Sequence, residues 1–216
     1  MPKPEILGSL RSSYTRVVRM VCEEKGIDHI LTETQLGAPE IRAIHPFGKM
    51  PVLRHGDFTL CESKAIASYL DRGFPGRELI PSDPRLAGLT EQWVSLVNTV
   101  IDRTLIRTYL FAYIAPTTAD GSPDRKAIDA VMPAVHEQLG VLDKAVARTG
   151  YLVGEQFTYA DINLLPILYR VRQAPEGAAA LAAATHLTRY YDRHAARPSF
   201  TSTTPPAGPP GRAKSS

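Results

Sequence analysis

The stretch Ile44-His45-Pro46-Phe47-Gly48-Lys49-Met50-Pro51-Val52-Leu53, followed by Leu60-Cys61-Glu62-Ser63-Lys64-Ala65-Ile66, sets the frame for the rest of the chain. Met50-Pro51 stands between a glycine turn and an apolar strand. A proline there removes a donor and fixes the local backbone, which leaves the Met50 amide and carbonyl free to pair with a ligand. The bland alternative is an ordinary edge-strand proline. Only ~5% of X-Pro bonds are cis in folded proteins, so composition alone does not make this bond cis. A cis bond would hold the Met50 backbone outward for antiparallel pairing with a peptide-like ligand. Glu62-Ser63 then opens a helix. The pair offers a carboxylate to an ammonium, and an amide and hydroxyl to a carboxylate, the two charges of an α-amino acid head group. A plain helix cap beside a solvated charge explains the same two residues.

Around this stretch the apolar periodicity alternates between strand and helix. Glu5 to Leu10 predicts a strand, and from Tyr14 the apolar positions Val17, Val18, Val21 and Cys22 take helical spacing until Gly26. His29 to Thr34, Met50 to Arg54 and Phe58 to Leu60 predict further strands, with a helical turn over Pro39 to Ile44 and a helix over Ser63 to Arg72. The resulting β-α-β-α-β-β-α order is the thioredoxin-like arrangement of a small mixed sheet. After the Pro/Gly-rich run from Gly73 to Pro84 strand signals almost vanish. Helices are predicted at about 85–115, 124–148, 158–172, 176–184 and 187–196. The expected organisation is an α/β thioredoxin-like N-terminal domain over 1–76, a linker over 77–84, an all-α domain over 85–200, and a disordered Pro-rich tail over 201–216.

Composition narrows the function. Across 216 residues, 44% hydrophobic, the 25 Lys and Arg and 22 Asp and Glu give a formal net charge of +3 without a dense basic patch. Nucleic acid is therefore not expected as a partner, and a small molecule is. No apolar run approaches the ~20 residues that span a bilayer, and the N-terminus lacks the blocks of a signal peptide. Two cysteines are too few for a disulfide framework, so a reducing, cytoplasmic setting is expected. Cys22 and Cys61 read as buried packing residues, not nucleophiles. The six histidines lack metal-ligand spacing, and no Gly-rich phosphate loop occurs, so neither a metal nor a nucleotide is expected.

Arg11-Ser12-Ser13-Tyr14 lies between the first strand and the first helix, where free amides and the helix dipole favour a negative ligand. A serine hydroxyl there can lower a thiol's pKa by donating to the thiolate, or it can simply cap the helix. Thr158-Tyr159-Ala160-Asp161 ahead of an apolar run is a capping box with Asp in place of Glu, a folding signal and not a catalytic acid. Arg103, Arg107, Tyr109, Phe111 and Tyr113 share a long helix, and periodicity leaves open whether they face a pocket, a partner or the core.

Taken in order, the serine loop, HPFGKMPVL, LCESKAI, the Pro-rich connector and FTYADI closely resemble cytosolic glutathione S-transferases, from about residue 4 to residue 200. The resemblance implies a glutathione-binding thioredoxin-like domain, a helical domain that supplies most of the electrophile pocket, and a homodimer. Glutathione is then the cosubstrate. Ser12 matches the serine that steadies its thiolate, with Ser13 as the alternative because the serine is doubled. Met50 matches the residue whose backbone pairs with the cysteinyl unit, and Pro51 the cis-proline after it. Glu62 and Ser63 match the γ-glutamyl clamp, and Lys49 a position that approaches the glycyl carboxylate. The loop also resembles the SSC loop of the zeta class, which includes maleylacetoacetate isomerase, but Tyr14 replaces its cysteine and Arg16 a typical tryptophan. The resemblance thus implies transfer of glutathione to small hydrophobic electrophiles, with glutathione-dependent isomerisation or a non-catalytic interaction role as alternatives.

Overall fold

β1 (Glu5–Gly8), β2 (Ile30–Glu33), β3 (Val52–His55) and β4 (Phe58–Cys61) form one sheet of order β2-β1-β3-β4 in the computed structural model, which describes residues 2–206. β1 pairs parallel with β2 and antiparallel with β3, and β3 pairs antiparallel with β4. The crossover from β1 to β2 carries α1 (Ser13–Lys25), α2 (Pro39–Arg42) precedes β3, and α3 (Ser63–Gly73) follows β4. Ser12 starts α1 by accepting from the Thr15 amide at 3.2 Å. Gly26 ends it in the left-handed region at φ 68°, and the Ile27 amide returns to the Cys22 carbonyl at 2.8 Å. Val17, Val18, Val21 and Cys22 bury the sheet-facing stripe. Gly8 lets that contact close, because a Cβ there would stand 2.4 Å from Thr15 Oγ1.

α4 (Pro84–Leu96) begins on the Asp83 cap, whose carboxylate accepts from the Arg85 and Leu86 amides. The sequence predicts one regular helix over about 85–115. Instead the coil widens to π-type turns over Val97–Ile101 and Arg103–Leu110 before α5 (Phe111–Ile114). Within them the Asp102 amide bonds the carbonyl of Val97, five residues back, and the Phe111 amide that of Ile106. α6 (Arg125–Val146), α7 (Tyr159–Val171), α8 (Pro175–Ala183) and α9 (Thr185–Ala195) complete the helices foreseen from sequence. α7 is buried on nearly every side and forms the centre of this domain.

At its start the Asp161 carboxylate accepts from the Thr158 amide at 2.8 Å, the Leu152 amide at 2.9 Å and the Tyr190 hydroxyl at 3.1 Å. Burial nevertheless outweighs these donors and pushes Asp161 up to about 6. All of its oxygens' partners are structural, as expected of a cap. Nearby, burial pushes His194 down to about 4 while its Nε2 lies 2.8 Å from the Gly150 carbonyl.

The chain end departs from expectation. Pro198 occupies the first turn of α10 (Pro198–Ser202), where its missing amide costs nothing, and Thr203 is fully buried. The cause is Arg16 on α1. Its guanidinium donates to the Phe200 carbonyl at 2.9 Å and the Thr204 hydroxyl at 3.1 Å, and it lies 3.9 Å from the Phe200 ring and 4.6 Å from that of Tyr169. Residues 202–204 are thus bonded to α1 of the N-terminal domain, where the sequence predicts a disordered tail from 201 onward; 207–216 lie outside the described residues. A second tie crosses the connector. Asp71 accepts from Lys25 at 3.1 Å and from the Leu79 and Ile80 amides at 3.0 Å, with both charged side chains almost fully buried.

Candidate active site

Strand register brings the separated motifs together. Val52 opposes Cys61 across the β3–β4 pair, so Pro51, just before β3, and Glu62, just after β4, meet at one end of the sheet. Leu7 opposes Val52, which carries the loop after β1 to that same end. The N-terminus of α1 opens there and adds its positive dipole end. Two contacts fasten the junction: the Ser9 amide donates to Met50 Sδ at 3.2 Å, and His45 Nε2 lies 3.1 Å from Glu62 Oε1.

Ser12 is half-buried at this end. Its oxygen accepts the Thr15 amide, which leaves the hydroxyl proton available to a ligand. The capping and thiolate-donor readings are therefore compatible. Ser13 is the first residue of α1 and also half-buried. The Met50-Pro51 bond is cis. Glu62 occupies the cap position of α3 without capping it, with φ at 71°, a region non-glycine residues rarely enter. Its side chain is 68% exposed, so the carboxylate remains open to an incoming cation. Ser63 is buried as the first residue of α3, and Lys49 is exposed at the turn.

The opposite wall comes from the helical domain. Burial and the Asp102 carboxylate push the Tyr14 phenol up, so its proton stays on the oxygen. Asp102 is itself buried, with Oδ2 3.0 Å from Arg107 Nε and Oδ1 without a hydrogen-bond partner among the described residues. Arg107 is half-exposed and sits 5.3 Å from the Phe111 ring. Of the five residues singled out on the long helix, Tyr109 belongs to the core, donating to Glu176 and accepting from the Gly177 amide. Tyr113 joins Glu176 and Arg125, and Arg103 faces outward.

Sequence reasoning missed His45, Ser9 and Asp102 as parts of this region. His45 stands inside the opening stretch, and by spacing alone the sequence bears only on a metal role for it. Nothing local marks Ser9 or Asp102 as part of this region, because Met50 and Tyr14, which they meet here, lie far along the chain. The cysteine expectation needs one correction: Cys22 is fully buried and pushed up to about 12 by burial, whereas Cys61 is only half-buried because β4 is an edge strand. Among the described residues, no group of three His, Cys, Asp or Glu side chains gathers as metal ligands.

A four-stranded mixed sheet with flanking helices, joined to a helical domain through a shared apolar core, defines the class: a thioredoxin-like domain fused to an all-α domain. The glutathione S-transferase N-terminal domain family model matches residues 7–78, and the glutathione S-transferase C-terminal domain model matches residues 103–198. The chain is 32% identical to glutathione S-transferase 3 of Zea mays over 195 residues, covering 86% of each protein. It superimposes on the structure of glutathione S-transferase III in its apo form with a TM-score of 0.84 at 28% identity, covering 96% of this chain and 99% of that one. A theta-class glutathione S-transferase from Xanthomonas axonopodis pv. citri, solved with glutathione bound, gives a TM-score of 0.80 at 26% identity, covering 96% and 99%. The protein belongs to the glutathione S-transferase family.

Proposed function

We propose that the protein is a glutathione transferase that uses Ser12 to stabilise the thiolate of glutathione for attack on small hydrophobic electrophiles. One observation carries this reading: the strand register and the Ser9–Met50 and His45–Glu62 contacts gather the serine loop, the cis Met50-Pro51 turn and Glu62-Ser63 at one sheet end. Met50 pairs through its backbone with the cysteinyl unit. Glu62 receives the γ-glutamyl ammonium, and the amide and hydroxyl of Ser63 its carboxylate. Lys49 serves the glycyl carboxylate, and Ser13 lies next to the thiol as the alternative to Ser12. Lowering the thiol's pKa and holding the peptide in place then supply the rate.

The domain that binds glutathione spans 1–76, with the connector over 77–84 and the electrophile-binding helical domain over 85–200. A homodimer is the expected assembly, supported by the exposed apolar side chains Phe47, Phe58, Leu89, Leu96 and Val100. A cytoplasmic setting agrees with two free cysteines, and among the described residues no helix is long and apolar enough to cross a membrane. Retention on immobilised glutathione together with conjugation of a chlorinated nitrobenzene tests the reading. Failure of both overturns it, and product analysis separates conjugation from isomerisation.

A further inference from the structure

His45 is almost completely buried in a loop whose other duty is to present Met50, and both of its ring nitrogens are engaged. The Phe47 amide donates to Nδ1 at 3.1 Å. An accepting Nδ1 places the ring proton of the neutral imidazole on Nε2, which faces Glu62 Oε1 at 3.1 Å and so donates to it. The backbone of His45 is tied as firmly: its amide donates to the Ile41 carbonyl at 2.7 Å, and its carbonyl accepts the Gly48 amide at 2.9 Å. Glu62, by contrast, has an exposed side chain on a backbone held at a positive φ, and makes no cap bond. Left alone, such a carboxylate samples several rotamers, and ordering it on ligand binding costs affinity.

We infer that His45 is a positioning residue that couples the two halves of the glutathione site: anchored in the Met50-Pro51 turn, it aims the Glu62 carboxylate at the γ-glutamyl ammonium. One carboxylate oxygen is occupied by the imidazole, and the other is left for the ligand. This rests on the proposed role of Glu62. Among the described residues the hydrogen-bond partners of this buried ring are the turn amide and the clamp carboxylate, so it transmits the position of one to the other. Its effect falls on the γ-glutamyl end of the peptide and leaves the thiol chemistry alone.

The test compares the parent protein with His45→Asn, which keeps an acceptor for the Phe47 amide but cannot reach Glu62, and with His45→Gln, whose longer amide can donate where Nε2 does. Glutathione and cysteinylglycine, the same peptide without its γ-glutamyl unit, are the two ligands. His45→Asn should raise the KM for glutathione about tenfold, the size of a lost charge-assisted hydrogen bond, with kcat within about twofold. Its affinity for cysteinylglycine should stay at the parent value, and His45→Gln should recover most of the loss. Equal weakening of both ligands, an unchanged KM, or no recovery with Gln overturns the inference. Should His45→Asn fail to fold, long-range ¹⁵N spectra of the parent decide: a proton on Nε2 whose signal moves with glutathione but not with cysteinylglycine supports it, and a proton on Nδ1 or an unmoved signal rejects it. A parent protein that binds no glutathione at all refutes the role of the site itself, a distinct outcome.

Discussion

The Ser12 hydroxyl caps α1 and, in the proposed function, also serves the thiolate, two duties that a pair of substitutions can separate. Ser12→Ala removes the acceptor that takes the Thr15 amide at 3.2 Å, and with it the O–H that the proposed function assigns to the sulfur of glutathione. Loss of the cap costs about 1 kcal/mol of stability. Loss of a hydrogen bond to a charged group costs about 1.5–3 kcal/mol, which raises the pKa of the bound thiol by about one to two units. Ser12→Asp retains a good cap at the positive end of α1, so its stability should lie within a few tenths of a kcal/mol of the parent. Its carboxylate would, however, stand beside the sulfur and oppose thiolate formation. Chemical denaturation reads the first effect, and ultraviolet titration of bound glutathione, paired with the pH profile of kcat/KM, reads the second. Below the pKa of the parent complex, turnover should fall about 10–100-fold in Ser12→Ala and further in Ser12→Asp. A bound-thiol pKa unmoved in Ser12→Ala refutes the reasoning. A shift produced only by Ser13→Ala transfers the role to that neighbour.

Two buried groups should hide each other's pH dependence. Asp161, raised by burial from 3.8 to about 6, takes up a proton on folding, so its share of stability falls as pH rises from about 4 to 6. His194, lowered by burial from 6.5 to about 4, sheds one, so its share falls as pH drops from about 6.5 to 4. Each slope is at most about 1.4 kcal/mol per pH unit and they oppose. Asp161→Asn should therefore make urea midpoints fall more steeply on acidification than in the parent, and His194→Gln should do the reverse; parallel profiles would disprove the assignment. Asp71→Ala strands the buried Lys25 charge and frees the Leu79 and Ile80 amides, and should cost about 3–5 kcal/mol in equilibrium denaturation. Gly8→Ala pushes α1 off the sheet at Thr15 and should cost about 1–3 kcal/mol, relieved in part by the double substitution Gly8→Ala with Thr15→Ser.

Local chemistry made much of this protein legible. The cap at Ser12, the stop at Gly26, the Thr158–Asp161 box and the alternation from strand to helix are set by residues within a few positions of one another, so sequence alone determined the order of elements and the two-part architecture. The motif pairs at 50–51 and 62–63 were visible for the same reason. What sequence could not carry is anything decided between distant segments. The π-type turns over Val97–Ile101 and Arg103–Leu110 have no local signature. The residues from 201 onward have a tail's composition, yet Arg16, far away along the chain, binds the Phe200 carbonyl and the Thr203 and Thr204 hydroxyls and offsets the entropy of ordering them. Likewise the meeting of His45 with Glu62, Ser9 with Met50, and Tyr14 with Asp102 depends on strand register and on the docking of the two domains. Sequence offered the candidate residues; only tertiary packing decided which of them share an end of the sheet, because that is fixed by contacts that no short window of the chain contains.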